Sequence, residues 1–326
     1  MKNIKRDSGP NLETLSAMSE EEARKMIEGI RWPDGPICPR CNSVETVPVT
    51  GKQVRAGVYR CKTCRRNKAK RDQFSVTIGT VFEGSHIPLK KWVMAFHLMC
   101  SSKKGISALQ LKRNLGLSYK SAWHMAHRVR LAMKEEPLSS MLAGTVEADE
   151  TFVGGKPRRS RKGTLPSPRG RKGWHIPKKS PVAVLVERGG DAISFPIKRI
   201  SAKGLKTAIR EKVDRTKTVF MTDDAGHYKG IGREFAGGHQ TVMHSGGEYV
   251  RDDAHIQTAE SFFALLKRGV NGVFHHVSEK HLGRYCDEFS FRWNHRKVND
   301  GTRTICAISG AEGKRLMYSE PIRKSS

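Results

Sequence analysis

No apolar run in the sequence approaches the roughly 20 residues that a membrane-spanning helix needs. The opening residues, "MKNIKRDSGP", hold no hydrophobic signal-peptide core. These two absences speak against a membrane protein and for a soluble, cytoplasmic one. Acidic residues are also scarce: 32 Asp and Glu stand against 60 Lys and Arg, a formal charge of +28 and a pI near 10.1. Such an excess calls for a polyanionic partner, with nucleic acid first among the choices. A disulfide framework is missing too. Of the seven cysteines, Cys100, Cys286 and Cys306 are isolated and read as small core residues, while the other four sit in two pairs. That arrangement suits metal binding in a reducing compartment. With 326 residues the chain has room for two or three cores.

What is present begins with "CPRCNSVETVPVTGKQVRAGVYRCKTC". Cys38, Cys41, Cys61 and Cys64 follow the spacing of a zinc ribbon, in which two tight knuckles offer four thiolates to one Zn2+ ion. Four thiolates close the shell, so the expected zinc is structural. Ahead of it, "MSEEEARKMIEGIRWPDG" predicts a short helix with a Ser19/Glu22 capping box, stopped at Trp32-Pro33. After the second knuckle, "FSVTIGTVF" predicts a β-rich segment and "LKKWVMAFHLM" an apolar helix.

Residues 104–134 divide into two amphipathic helices at "LGLS", with Gly116 at the turn and Ser118 as cap, the pattern of a helix-turn-helix. The second helix offers Tyr119, Lys120, His124, Arg128 and Arg130 around an apolar stripe of Ala122, Met125, Ala126 and Val129. The first four of these are the expected DNA contacts. An ordinary helical hairpin has the same pattern; the charge of the chain favours DNA.

"GTVEADETFVGGK" alternates as a strand, with Val146, Ala148 and Glu150 on one side and Glu147, Asp149 and Thr151 on the other. The stretch 156–179 that follows holds ten Lys or Arg and no acid, with enough Gly and Pro to prevent a helix. Arg158, Arg159, Arg161 and Lys162 are expected to grip phosphates there. Next come a strand hairpin turning at "GGD", a helix in "SAKGLKTAIREKV", and an apolar strand ending at Asp223 and Asp224. A third acid, Glu260, lies in the first turn of the helix in "HIQTAESFFALLKRGV", with Lys267 almost two turns on and nearly on the same face. Acids at two strand ends and on a later helix can converge. Such hard oxygen ligands suit Mg2+ or Mn2+, and a pair of ions supports in-line phosphoryl displacement. Taken singly, each acid has a plainer explanation as a surface, turn or helix-dipole residue.

These segments resemble bacterial insertion-sequence transposases of the DDE type that carry an N-terminal zinc ribbon, the ISXO-like family. The resemblance spans about residues 12–300 and rests on "RWPDGPICPRC", "FSVTIGTVF", "GISALQLKRNLGLSYKSAWHMAHRVR", "VEADETFVGGK", "MTDDAGHYKGIG" and "AESFFALLKRGVNGVFHHVSEKHLGRYCDEFSFRWNHR". It implies an α/β chain in which a zinc ribbon and a helix-turn-helix precede a ribonuclease-H-like catalytic domain. The expected divisions are 12–82, 86–135, 144–300 with the basic insertion at 156–180, and a C-terminal tail, 301–326. By position, Asp149, Asp223 and Glu260 match the family's metal-binding acids and Lys267 the third acid's partner. Asp224 can replace Asp223, and His255 or Gln257 stand where a different third ligand would lie. The implied activity is binding of terminal inverted repeats, cleavage with two catalytic Mg2+ or Mn2+ ions, and transfer of the freed 3′ end to target DNA. A homo-oligomer on DNA, associated with the nucleoid, is expected. A catalytically inactive relative acting as a repressor is the alternative.

Overall fold

The computed structural model describes residues 9–135, 141–154, 179–198, 200–228, 230–243, 250–251 and 253–322. The chain divides into two compact units, Met1–Lys134 with His295–Ser326, and Glu135–Asn294. Among the described residues no helix is long and apolar enough to cross a membrane.

The first unit opens with helices α1 (Leu12–Ala17) and α2 (Glu20–Arg31). Both begin with capping boxes, Asn11 with Thr14 and Ser19 with Glu22, which satisfy amides that a helix start leaves unpaired. Strands β1 (Thr46–Pro48), β2 (Val58–Cys61) and β3 (Gln73–Ser75) form an antiparallel sheet in that order, with α3 (Lys62–Arg66) at the second knuckle. Trp32, at the end of α2, meets Tyr59 and Phe74 edge-on with ring centroids 5.8 and 5.7 Å away, which fastens the helix to the sheet.

The β-rich segment expected over "FSVTIGTVF" is a strand only as far as Ser75. Beyond it the backbone turns, with Ile78 N–H donating to the Ser75 carbonyl and the Thr80 hydroxyl to the Thr77 carbonyl. Val76, Val81 and Phe82 are buried, so their apolar side chains plug the core rather than build a ladder.

Helix α4 (Leu89–Ser101) is the central element of this unit, burying Trp92, Val93, Phe96 and Met99. Helices α5 (Ala108–Leu115) and α6 (Tyr119–Ala132) follow. Gly116 ends α5 in the left-handed region at φ +59, where a Cβ would strain the backbone, and the Ser118 side chain caps α6.

The second unit holds β4 (Leu142–Val153), β5 (Ser180–Glu187), β6 (Ala192–Pro196), α7 (Ala202–Lys212), β7 (Val213–Asp223), β8 (His239–Val242), α8 (Gln257–Gly269) and α9 (Glu279–Asn294). Its five strands lie in the order β6-β5-β4-β7-β8. The β4–β5 and β5–β6 pairs are antiparallel, and β4–β7 and β7–β8 are parallel. This mixed sheet, with its first strand central, is consistent with a ribonuclease-H-like core. One face packs Val182, Val184 and Val186 against Phe262, Leu266, Leu282 and Phe289 of α8 and α9. The other packs Val146, Ala148 and Phe220 against Leu205 and Ile209 of α7 and against Tyr228.

The chain then rejoins the first unit as α10 (Asp300–Ser309), which packs on α4, with His97 Nδ1 3.1 Å from Thr304 Oγ1. The segment after α10 is bonded to that unit. Gly313 N–H donates to the Gly79 carbonyl, and Lys314 Nζ donates to the Ala132 and Lys134 carbonyls. Residues expected only as a tail are thus built into the first unit's core.

Candidate active site and zinc centre

The four knuckle cysteines lie with their sulfurs all within 4.8 Å of one another. Cys38 and Cys64 are 3.8 Å apart, Cys41 and Cys61 3.5 Å, and Cys41 and Cys64 3.4 Å. A tetrahedral ion with Zn–S bonds of about 2.3 Å separates its sulfurs by about 3.8 Å, so the cage has the size of one Zn2+. Its electrostatics agree. Burial raises the Cys61 thiol, but the Cys64 amide and the neighbouring sulfurs outweigh it and hold Cys61 at about 7. Cys64 is pushed up to about 12 by the Cys41 sulfur and by burial. Four packed thiols cannot all ionise alone, and a divalent cation removes that conflict.

In the second unit, the parallel register runs Thr145 to Val219, Val146 to Phe220 and Glu147 to Met221. Carried two residues further, that register sets Asp149, which lies inside β4 rather than at the strand end expected for it, opposite Asp223, the last residue of β7. Burial pushes the Asp149 carboxyl up to about 6; the Glu150 amide, 2.7 Å from Asp149 Oδ1, opposes this, while the charges of Asp223, Glu150 and Glu260 add to it. Asp149 therefore feels all three of those carboxylates. Asp223 is half-buried and accepts from the Ala225 N–H at 3.1 Å, whereas Asp224 and Glu260 are exposed. Lys267 is exposed on α8, seven residues beyond Glu260.

Among the described residues only the cysteines bring three or more ligand atoms within 4.8 Å of one another.

Three further acidic or phenolic groups surround Asp149. Glu147, fully buried on the same strand face, accepts from Thr258 N–H at 2.8 Å, Ala259 N–H at 3.0 Å, the Thr258 hydroxyl at 2.9 Å and Arg188 Nε at 2.6 Å. On the opposite face Glu150 accepts from the Tyr228 hydroxyl and lies 3.0 Å from His227 Nε2. Burial raises the Glu150 carboxyl, against those two bonds, and burial together with the Glu150 charge lifts the Tyr228 phenol well above its ordinary value. Strand alternation assigns Glu147 and Glu150 their faces but not these roles. The signal that marks them is three acids within "VEADET" in a chain poor in acids.

Tyr119 and Lys120 are exposed on the first turn of α6, and Lys120 Nζ sits 4.5 Å from the centre of the Tyr318 ring. His124 is half-buried against Tyr318, with ring centroids 5.3 Å apart. Arg128 is only 6% exposed, donating from Nε to the Leu316 carbonyl at 2.9 Å and from a terminal nitrogen to the Glu83 carbonyl at 3.0 Å. Its guanidinium is spent on the protein's own backbone. Arg158, Arg159, Arg161 and Lys162 lie outside the described residues.

Residues 141–294 match the ISXO2-like transposase domain, and residues 18–67 match the transposase zinc-ribbon domain. An uncharacterized protein in transposable element ISH50 of Halobacterium salinarum is 31% identical over 284 residues, covering 84% of this chain and 91% of that protein. The chain belongs to the ISXO2-like DDE transposase family with an N-terminal zinc ribbon. That relative is archaeal, so membership of the family does not make the chain bacterial. A solved Mos1 transposase paired-end complex aligns with 14% identity over 90% of this chain and 98% of its own, at a TM-score of 0.25, too low for a shared fold to follow.

Proposed function

We propose that the chain is an active DNA transposase that binds the terminal inverted repeats of its element, cuts their 3′ ends, and joins the freed 3′-hydroxyls to target DNA. The observation that carries this reading is the placement of Asp149 and Asp223 on the neighbouring parallel strands β4 and β7, with the Glu260 charge among those that act on Asp149. Asp149, Asp223 and Glu260 are the residues that would hold divalent cations, with Mg2+ or Mn2+ favoured by their hard oxygens. When bound, such a pair of ions activates water and stabilises the leaving oxygen in an in-line displacement.

The protein's own residues do the rest. Asp149 holds a proton up to about pH 6 and surrenders it to make room for a cation. Lys267, exposed on the helix that carries Glu260, lies ready to take a backbone phosphate. Helices α5 and α6 act as a helix-turn-helix whose first recognition turn, with Tyr119 and Lys120, meets DNA, and the insertion at 156–180 adds phosphate contacts that strengthen binding without choosing sequence. Cutting and joining two ends calls for a dimer or larger assembly on DNA.

The test is Mg2+-dependent nicking and joining of a duplex carrying the element's end. Nicked and joined product supports the reading. End binding without either product would leave a DNA-binding repressor.

A further inference from the structure

We propose that Glu147 is a positioning residue for the acid cluster: from the strand that carries Asp149 it holds the first turn of α8, and so sets Glu260 against the two aspartates. The inference rests on the metal-site reading above and adds a residue that binds no metal itself.

Helix α8 has no side-chain cap of its own, since its N-cap residue is Ile256. The unpaired amides of Thr258 and Ala259 are met instead by Glu147, which comes from 111 positions earlier in the chain. A negative charge at a helix N-terminus is favourable, and here the sheet supplies it. Burying a carboxylate is costly unless its oxygens are paired. Glu147 is fully buried and its pairing is dense: two amides, the Thr258 hydroxyl and the Arg188 guanidinium all donate to it, with His255 Nδ1 at 3.5 Å. Arg188 also donates to the carbonyls of Asp253 and His255, so the segment entering α8 is fixed by the same pair. Glu147 is therefore a fixed joint between β4 and α8.

The joint lies beside the acids. Glu147 and Asp149 are two residues apart on one strand face, and Glu260 follows Thr258 by two residues on the helix. A carboxylate that locks ligand-bearing elements together acts on metal affinity as an outer-shell partner does, and losing such partners typically weakens binding about 10- to 100-fold.

The experiment uses the zinc-loaded full chain and Mn2+ binding followed by electron paramagnetic resonance, beside thermal melts and amide exchange of residues 257–262. In Glu147→Gln an amide replaces the charge, and whichever way it turns its NH2 faces a donor, either the two α8 amides or the Arg188 guanidinium. Expected are faster exchange in the first turn of α8 and Mn2+ affinity weaker by about 10- to 100-fold at temperatures where the variant is folded. Thr258→Val, which removes one donor from a half-buried site, keeps the fold if Glu147→Gln does not; it should weaken Mn2+ binding several-fold. Wild-type Mn2+ affinity in folded Glu147→Gln, or in Thr258→Val, overturns the inference. Absence of Mn2+ binding from the wild type, unchanged by Asp149→Asn, instead overturns the metal-site reading itself and removes the basis for this one.

Discussion

Arg128 Nε donates to the Leu316 carbonyl 2.9 Å away, tying α6 to a chain segment 188 residues later. The same guanidinium holds the Glu83 carbonyl. A basic residue on a helix proposed to meet DNA is thus a structural clamp. Arg128→Ala should destabilise the protein by about 2–3 kcal/mol, because two carbonyls lose their buried partner. It should leave the salt dependence of DNA binding unchanged when measured where the variant is folded. Lys120→Ala should do the opposite. Its effect on stability should stay within about 0.5 kcal/mol, while the log-log salt slope falls by about 0.9 for one lost phosphate contact. Denaturation curves and binding isotherms over a salt series separate the two. A reduced slope in Arg128→Ala with unchanged stability would put its guanidinium on DNA.

The zinc centre should behave as a folding element. Cys61 supplies a sulfur and also accepts from the Cys64 amide at the start of α3, so Cys61→Ser removes a ligand and weakens the knuckle. The β1–β2–β3 sheet has few buried residues of its own beyond the knuckles, and structural zinc supplies folding energy directly. Zinc content should fall below one per chain, and affinity for the element's end should fall with it. Full zinc content with full end affinity in Cys61→Ser would exclude the ribbon assignment.

Local signals in the sequence correspond closely to local structure. The Ser19/Glu22 capping box, the Gly116 turn, the cysteine spacing and the hairpin turning near Gly189 each depend on residues near one another in the chain, where the physics is short-ranged. Strand alternation also separates the face of Asp149 from that of Glu150. What alternation cannot carry is the partner. Glu147 meets Thr258, Glu150 meets Tyr228, and Arg128 meets Leu316, and nothing in their local sequence marks these long-range choices. "FSVTIGTVF" shows the converse, because β-branched residues suit a half-buried surface whether the backbone is a strand or a series of turns. Arg128 follows the same logic: its position on α6 gives a face but not whether Leu316 already covers it.

The acids make the sharpest claim about chemistry. Asp149→Asn, Asp223→Asn and Glu260→Gln keep side-chain shape while removing the charge that holds a cation. Each should lower Mg2+- and Mn2+-dependent nicking by about 100-fold or more, the scale of one lost pre-organised electrostatic contact. Affinity for the end should hold or rise slightly, since one charge repelling phosphate is gone. Near-normal nicking by either aspartate variant would sink the acid cluster as drawn. Survival of Glu260→Gln alone would move the third ligand to His255 or Gln257. The structure keeps His255 open as that alternative, because its Nδ1 lies 3.5 Å from Glu147, and a carboxylate on one ring nitrogen is the usual partner of a histidine that ligates through the other.

Asp149 also ties stability to pH. Its carboxyl rises from an ordinary 3.8 to about 6 in the folded protein, chiefly through burial. The folded state therefore holds this proton more tightly than the unfolded chain does. The resulting stability is fully present below about pH 4 and is lost as pH rises through about 6, a change of up to about 3 kcal/mol for a shift of this size. Asparagine has no proton to lose. Without added Mg2+, and with zinc retained, Asp149→Asn should gain on the wild type steadily between about pH 4 and pH 6 and hold that advantage above. Saturating Mg2+ at neutral pH should shrink or reverse the advantage, because the cation binds the ionised wild-type site and stabilises its folded state. Urea denaturation of both proteins across that pH range, with and without Mg2+, reads each step. A constant difference between the two proteins from pH 4 to 7 would show that Asp149 titrates like an exposed carboxylate, and an advantage untouched by Mg2+ would show that no cation relieves it.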